Sequence, residues 1–241
     1  LVLINIHESP DCFINISKTQ DNVKSKKYVY AGIAGAVVIV AIILIFNQIN
    51  ATRKTTIVEE ERSTSYLDFS YEEANSDLKS TLTLNHINMS NPLRFSSPTD
   101  INQYCNFLTD LKKQALVKYC TSTELRDKNG NFLGDINMVG SSTAPGLVIA
   151  ALQSNPLLTN YDDVKTVFSA VINETMCQCW DEEKPGGYAT LSDMMDALRD
   201  FHINGKKPDS TTHSISLANK HFEIEATSNA NGYLWKLLVA R

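Results

Sequence analysis

"THSISLANKHFEIEATSNANGYLWKLLVAR" occupies residues 212–241. His213, Ile215 and Leu217 alternate with Ser214 and Ser216, and Phe222, Ile224 and Ala226 alternate with Glu223 and Glu225. Tyr233, Trp235, Leu237 and Val239 repeat the pattern after "SNANG". Period two with turn residues between the runs predicts three antiparallel strands, one face toward water and one toward helices.

The residues before it follow a helical period instead. Leu67, Tyr71, Ala74, Leu78 and Leu82 share one face, opposite Glu72, Glu73, Asp77 and Lys79. From Thr99 or Asp100 to Cys120, a stripe of Ile101, Tyr104, Cys105, Leu108, Leu111, Ala115 and Tyr119 predicts one helix. "ELRDKNGNFLGDINMV" reads as a hairpin around Asn129-Gly130. Pro145 opens "APGLVIAALQSN", read as a short helix. Asn160 or Asp162 caps a helix bearing Val164, Val167, Phe168, Val171, Ile172 and Thr175, stopped by "EEKPGGY". Thr190 caps the next, with Leu191, Met194, Met195, Leu198 and Phe201 inward and Gly205 at its close. The expected class is α+β: a helical layer packed on a C-terminal three-stranded antiparallel sheet, preceded by a long N-terminal membrane helix.

That membrane helix rests on "KSKKYVYAGIAGAVVIVAIILIFNQINATRK", residues 24–54. No charge interrupts Tyr28 to Phe46, a length that approaches the ~30 Å hydrocarbon core of a bilayer. A signal-peptide apolar region is usually shorter and ends in a small-residue cleavage site, which is not seen here. Lys24, Lys26 and Lys27 lie close to its start, and Arg53 and Lys54 soon give way to "EEE" at residues 59–61. The basic bias predicts a single-pass protein of the cell membrane, N-terminus cytoplasmic and C-terminal domain outside. Gly32 and Ala36 form a small-xxx-small pair and, with Gly35, permit close helix packing against other subunits or a second copy. The expected divisions are 1–27, a cytoplasmic tail or leader; 28–46, the transmembrane helix; 47–90, a helical stalk; and 91–241, the extracytoplasmic α+β domain. Two readings of residues 1–22 stay open, a short tail or translation beyond the true start. Two also stay open for residues 47–85: a continuation of the membrane helix, or a stalk followed by a separate core helix.

With a formal net charge of -5 over 241 residues, the chain lacks the basic balance of a nucleic-acid binder. Cys12 falls in the tail, which leaves Cys105, Cys120, Cys177 and Cys179 in an oxidising exterior and suggests two disulfides. With Cys105 and Cys120 on one helix, roughly 22 Å apart by the helical rise, each is expected to reach Cys177 or Cys179. Free thiols and a metal site on the C-x-C pair are the other readings, but no His lies near that pair.

"DKNGNFLGD" carries Asp127, Asn129 and Asn131 at calcium-loop spacing. Phe132 stands where that loop needs Gly, and Met138 where it needs Glu, so a hairpin turn is the expectation. Asp181, Glu182 and Glu183 read as a solvated helix end. His213 and His221 read as core edge and surface. No nucleophile elbow, phosphate loop, dinucleotide fingerprint or H-E-x-x-H occurs, and neither cofactor nor catalytic residue is expected. Asn50, Asn88 and Asn173 open N-x-[ST] triplets and are glycosylation candidates in an exterior domain.

The layout of "YVYAGIAGAVVIVAIILIF", the stripe from Leu67 to Leu82 and the sheet from Thr212 to Ala240 resembles that of a type IV pilin-like subunit. "KSKKYVYAG", ending at Gly32, stands where that family's leader is processed. Counting from Ile33, the fifth position is Val37, where the family carries Glu. The resemblance implies a surface filament assembled through packed N-terminal helices. The residues themselves point to a membrane-anchored interaction or structural protein, with lipid bilayer and other subunits as partners. A stalked enzyme is the third reading.

Overall fold

The structure, a computed structural model, describes residues 66–241. The tail, the apolar block and most of the expected stalk, with Gly32, Gly35, Ala36 and Asn50, lie outside the described residues. Among the described residues no helix is long and apolar enough to cross a membrane.

Helix α1 (Tyr71–Leu84) starts at a capping box: Ser70 accepts from the Glu73 N–H and Glu73 returns to the Ser70 N–H. It is therefore a separate core helix with its own start, not a run-on from residues 66–69. Its expected stripe is correct, since Leu67, Tyr71, Ala74, Leu78 and Leu82 are all buried. The chain from Leu67 onward thus belongs to the domain core. Strands β1 (Asn88–Met89) and β2 (Leu93–Phe95) follow, interrupted by Pro92.

The long helix expected from residue 99 or 100 to residue 120 is not formed. Helix α2 (Pro98–Tyr104) is capped by Ser97 and ends at Cys105. A short helix α3 (Leu111–Gln114) begins at its own cap, Asp110, which accepts from the Lys112 and Lys113 N–H groups. Tyr119 already lies in strand β3 (Tyr119–Arg126). Two caps, Ser97 before Pro98 and Asp110 inside the stripe, outweigh an apolar periodicity that seemed continuous.

Strand β3 turns through residues 127–131 into β4 (Phe132–Gly140), the expected hairpin. Strand β5 (Pro145–Ser154) replaces the short helix expected there. "PGLVIAALQS" is apolar in both strand phases: it lies between β4 and a C-terminal strand, with Val148, Ala150 and Leu152 in the main core and Leu147, Ile149 and Ala151 on the opposite face. Such a run cannot be told from a buried helix by its period. Helices α4 (Tyr161–Thr175), α5 (Trp180–Glu183) and α6 (Leu191–Asn204) come next. Strands β6 (Asp209–Thr211), β7 (Ile215–Leu217), β8 (Lys220–Asn229) and β9 (Gly232–Ala240) complete the order.

The expected β7–β8–β9 meander is present, but it is the edge of something larger. One antiparallel sheet of nine strands runs β1-β3-β4-β5-β9-β8-β6, with β2 also paired to β3 and β7 to β8. Strand β9 pairs with β5 over its length, from Leu147 opposite Ala240 to Ser154 opposite Tyr233. The three-stranded sheet is thereby corrected to nine strands, since β1 to β6 also belong to it. The turn from β7 to β8 has two residues, Ala218 and Asn219, both at positive φ, as the right-handed twist of a tight hairpin requires. The class, α+β with helices on an antiparallel sheet, stands.

One sheet face, called inner here, carries Thr121, Ile136, Met138, Val148, Ala150, Leu152, Phe222, Ile224, Trp235, Leu237 and Val239. Helices α1, α4 and α6 pack on it. Every residue of the expected α4 stripe is buried. The Trp235 indole N–H donates to Ser154 Oγ at 2.8 Å, so the largest core side chain leaves no polar atom unpaired. Lys220, 7% exposed, joins three parts of the chain. Its ammonium donates to the Thr175 carbonyl at the end of α4 (2.9 Å) and pairs with Asp68 (2.6 Å). The hydrogen bond from Lys220 holds the Asp68 carboxyl below its ordinary pKa.

Helix α6 corrects one detail. Phe201 points outward, and His202 takes the inward place, 1% exposed. The inward stripe runs 191, 194, 195, 198 and then 202, because a step of four continues the face that a step of three leaves. The two ring nitrogens of His202 lie 2.9 Å from Ser210 Oγ and from Ser228 Oγ.

Two outcomes follow. Phe168→Ala is expected to cost about 3–5 kcal/mol in urea denaturation. Tyr161→Phe is expected to be neutral or stabilising, because the buried Tyr161 hydroxyl has no hydrogen-bond partner among the described residues.

Burial also pushes the His202 pKa below its ordinary 6.5, with Asp209 opposing. The unfolded chain then binds the proton first as pH falls. Stability from this group is full above 6.5 and is lost as pH drops toward the folded value. Urea midpoints measured from pH 7.5 to 5.5 should fall in the native chain and fall less in His202→Gln.

Candidate functional site

The outer sheet face is the feature that the helices do not cover. Its apolar centre is Leu147, Ile149 and Ala151 of β5 with Leu238 and Ala240 of β9; beyond it Lys236, opposite Ala151, pairs with Glu225 of β8 at 3.3 Å, and Glu223 stands beside Leu238. A sheet face of this kind must be covered or used.

Part of it is covered by residues 95–118. Cys105 caps the end of α2 and is bonded to Cys120 near the start of β3, with a Cα–Cα distance of 6.4 Å. Both are fully buried. Around them Ile101, Val117 and Val139 form a second small core, with Phe95, Leu108 and Leu147 packed against it. Buried Gln114 braces the loop: its amide N–H donates to the Cys105 carbonyl (3.1 Å), and its side-chain oxygen accepts from the Leu108 N–H (3.2 Å). The loop is thus stapled at its ends and bonded across its middle.

Between this loop and the β7–β8 hairpin a groove of about 650 Å³ remains. Val139, Leu147 and Leu238 line it from the sheet, and Leu108 and Leu116 from the loop. Ser214, His221 and Glu223 line it from the hairpin side. Tyr66 also lines it; its ring lies against Gly146, and the Arg241 guanidinium donates to its carbonyl (3.5 Å). Charges sit at the rim, Lys112, Lys113 and Arg241 against Asp110 and Glu223. The groove is of a size that holds a small molecule or a few side chains of a partner, and its chemistry is apolar contact with charged edges.

A second groove, about 420 Å³, lies between α1, residues 90–94 and β3. Two of its polar groups, Asn75 and Lys79, are engaged within the chain. Asn75 donates to the Tyr71 carbonyl (2.7 Å) and accepts from Thr123 (2.9 Å), and Lys79 donates to Asn91 (2.8 Å). It serves to hold α1 to β3.

No protein-family model, curated protein or solved structure matches this chain. The site therefore rests on its own geometry.

The cysteine pairing corrects the expectation from sequence. Cys105 and Cys120 are partners, because α2 stops at Tyr104 and the chain doubles back. Cys177 and Cys179 are partners as well, with a Cα–Cα distance of 5.2 Å. Helix α4 ends at Thr175, so these two lie beyond it, where the chain bends before α5. Asp181, Glu182 and Glu183 are exposed in the first turn of the four-residue α5, not at the C-terminal end of α4, and Glu183 accepts from the Ala218 N–H. Acids at that end of a helix are favourable.

Asp127, Asn129 and Asn131 are brought together as a turn. Asp127 accepts from both asparagine N–H groups (2.8 and 2.9 Å) and from the Asn131 amide (2.9 Å), and these bonds hold its carboxyl below the ordinary range. Among the described residues no group of three or more His, Cys, Asp or Glu is placed to hold a metal ion. His213 is exposed outside the strands, and His221 faces Ser216. Asn88 on β1 and Asn173 on α4 are both exposed. The groove itself was missed, because its loop was read as helix and its floor as a second helix.

Replacing both Cys105 and Cys120 by Ser should free the loop. A loop of this length is expected to cost about 3 kcal/mol when unstapled. Trypsin should then cut after Lys112 and Lys113 much faster than in the native chain, with the core fragments surviving. Equal cutting rates would show that the staple does not hold the loop.

Proposed function

We propose that this chain is a membrane-anchored extracytoplasmic interaction protein. Its anchor is the uncharged block from Tyr28 to Phe46, and its contact surface is the groove and the loop stapled beside it. The observation that carries the reading is the buried Cys105–Cys120 bond closing a loop over an apolar sheet face. Disulfides persist in oxidising compartments, so a domain with two of them fits the outer side of a membrane. The surface they shape offers apolar area and rim charges, which is the chemistry of contact. The capped start of α1 at Ser70 favours a single anchored domain over a filament subunit whose helix runs on unbroken.

Fractionation of cells producing the full chain tests this. The chain is expected to stay with membranes through alkaline carbonate and to dissolve in detergent. Protease added outside intact cells should reach it, and Cys105, Cys120, Cys177 and Cys179, read by peptide mapping apart from Cys12 of the tail, should resist alkylation until reduced. Release by carbonate, or rapid alkylation of those four cysteines without reductant, would overturn the reading.

A further inference from the structure

The stapled loop carries more than a wall of the groove. In residues 104–118, Tyr104, Leu111 and Leu116 are 52%, 80% and 50% exposed, and Phe107 is also exposed. Lys112, Lys113 and Lys118 are exposed among them, with Asp110 as the only acid. Asp110 is spent capping α3. A chain of net charge -5 thus gathers three lysines and four large apolar side chains on one rigid projection. No other stretch of the described residues sets so many exposed large apolar side chains beside lysines. Of the other exposed large apolar residues, Leu84, Phe132 and Leu157 stand far apart in sequence, Leu93 is a single strand residue, and Phe201 lies under Lys207.

We infer that this loop is a second membrane contact, seated on the anionic headgroups of a lipid surface. Aliphatic and aromatic tips enter the headgroup boundary, tyrosine suits the interface, and lysines reach lipid phosphates while their stems stay in apolar surroundings. Each feature fits a bilayer better than a protein groove, which would bury the lysines without supplying fixed partners for all three. The inference rests on the anchoring proposed above. An anchor on the same chain raises the effective concentration of lipid at the loop, so even a weak contact is populated. The disulfide supplies the other requirement, since a loop already ordered loses little freedom on docking.

The test uses the full chain reconstituted in vesicles, with Leu111→Trp as a reporter and brominated phosphatidylcholine as quencher. The two native tryptophans, Trp180 and Trp235, are buried and serve as the unquenched background. Vesicles contain either phosphatidylcholine alone or phosphatidylcholine with phosphatidylserine. Flotation is measured in parallel. The expected result is flotation in both, with quenching of the reporter strong only with phosphatidylserine. The contact should weaken by at least about tenfold in Lys112→Glu/Lys113→Glu/Lys118→Glu, and high salt should weaken it in the parent. Urea denaturation confirms that the variants fold, and Leu116→Ser gives a second variant with unchanged charge and weaker quenching. Flotation without quenching overturns this inference and leaves the anchor standing. Quenching that ignores both phosphatidylserine and the lysines overturns the anionic contact. Failure to float overturns the anchor and the inference with it.

Discussion

Strand β5 is apolar in both of its side-chain phases, and that fact shapes the rest of the domain. Val148, Ala150 and Leu152 point one way, Leu147, Ile149 and Ala151 the other. Each apolar area left in water weakens the fold by ~25 cal/mol per Å², so both sides need cover. On the inner side the cover is complete: α4 lies over the centre, with α1 and α6 beside it. On the outer side there is no second helical layer. A loop stapled by Cys105–Cys120 covers Leu147 and Val139, and the area beyond its reach is the groove. The groove is what remains when a strand with two apolar faces is placed in a sheet whose main helices lie on one side.

This arrangement explains why the disulfide sits where it does. The main core is large and continuous and has no bond of this kind through it. The outer cluster is small, with Ile101, Val117 and Val139 around the cystine. So few apolar contacts do not offset the entropy of ordering a loop of this length. The cross-link removes part of that entropy from the unfolded chain, and Gln114 ties the middle. The loop can then present exposed leucines and aromatics in a fixed form. Cys177–Cys179 spans too short a loop to act in the same way and belongs to the bend after α4.

Much of the inner half was legible in the sequence. The stripes Leu67 to Leu82 and Val164 to Thr175 are buried as their spacing requires, and Thr190 caps α6 as expected, whereas the Ser70 capping box was not read and Asn160 starts α4 without a side-chain capping bond. The alternation from residue 215 onward marks β7, β8 and β9, because one face of each strand meets helices and the other does not. The outer half was not legible, for a physical reason. A strand with apolar residues on both faces shows no alternation, so β5 reads like a buried helix. A loop whose apolar residues are divided between a small core and solvent mimics helical period without forming one. Asp110 and the Ser97-Pro98 pair were the available signals against it. Once residues 99–120 were read as one helix, the cysteine pairing followed wrongly, since both partners seemed far apart. His202 escaped notice because its neighbour Phe201 is the more apolar residue, although the face of α6 runs through 198 and 202.

The pairing of the cysteines is the point on which loop, groove and location all turn. Non-reduced peptide mapping of the full chain by mass spectrometry tests it most directly. The account predicts one peptide pair joining Cys105 to Cys120 and a closed loop within the peptide holding Cys177 and Cys179. A bond from either of the first two to either of the last two, or free thiols at Cys105 and Cys120, would contradict it.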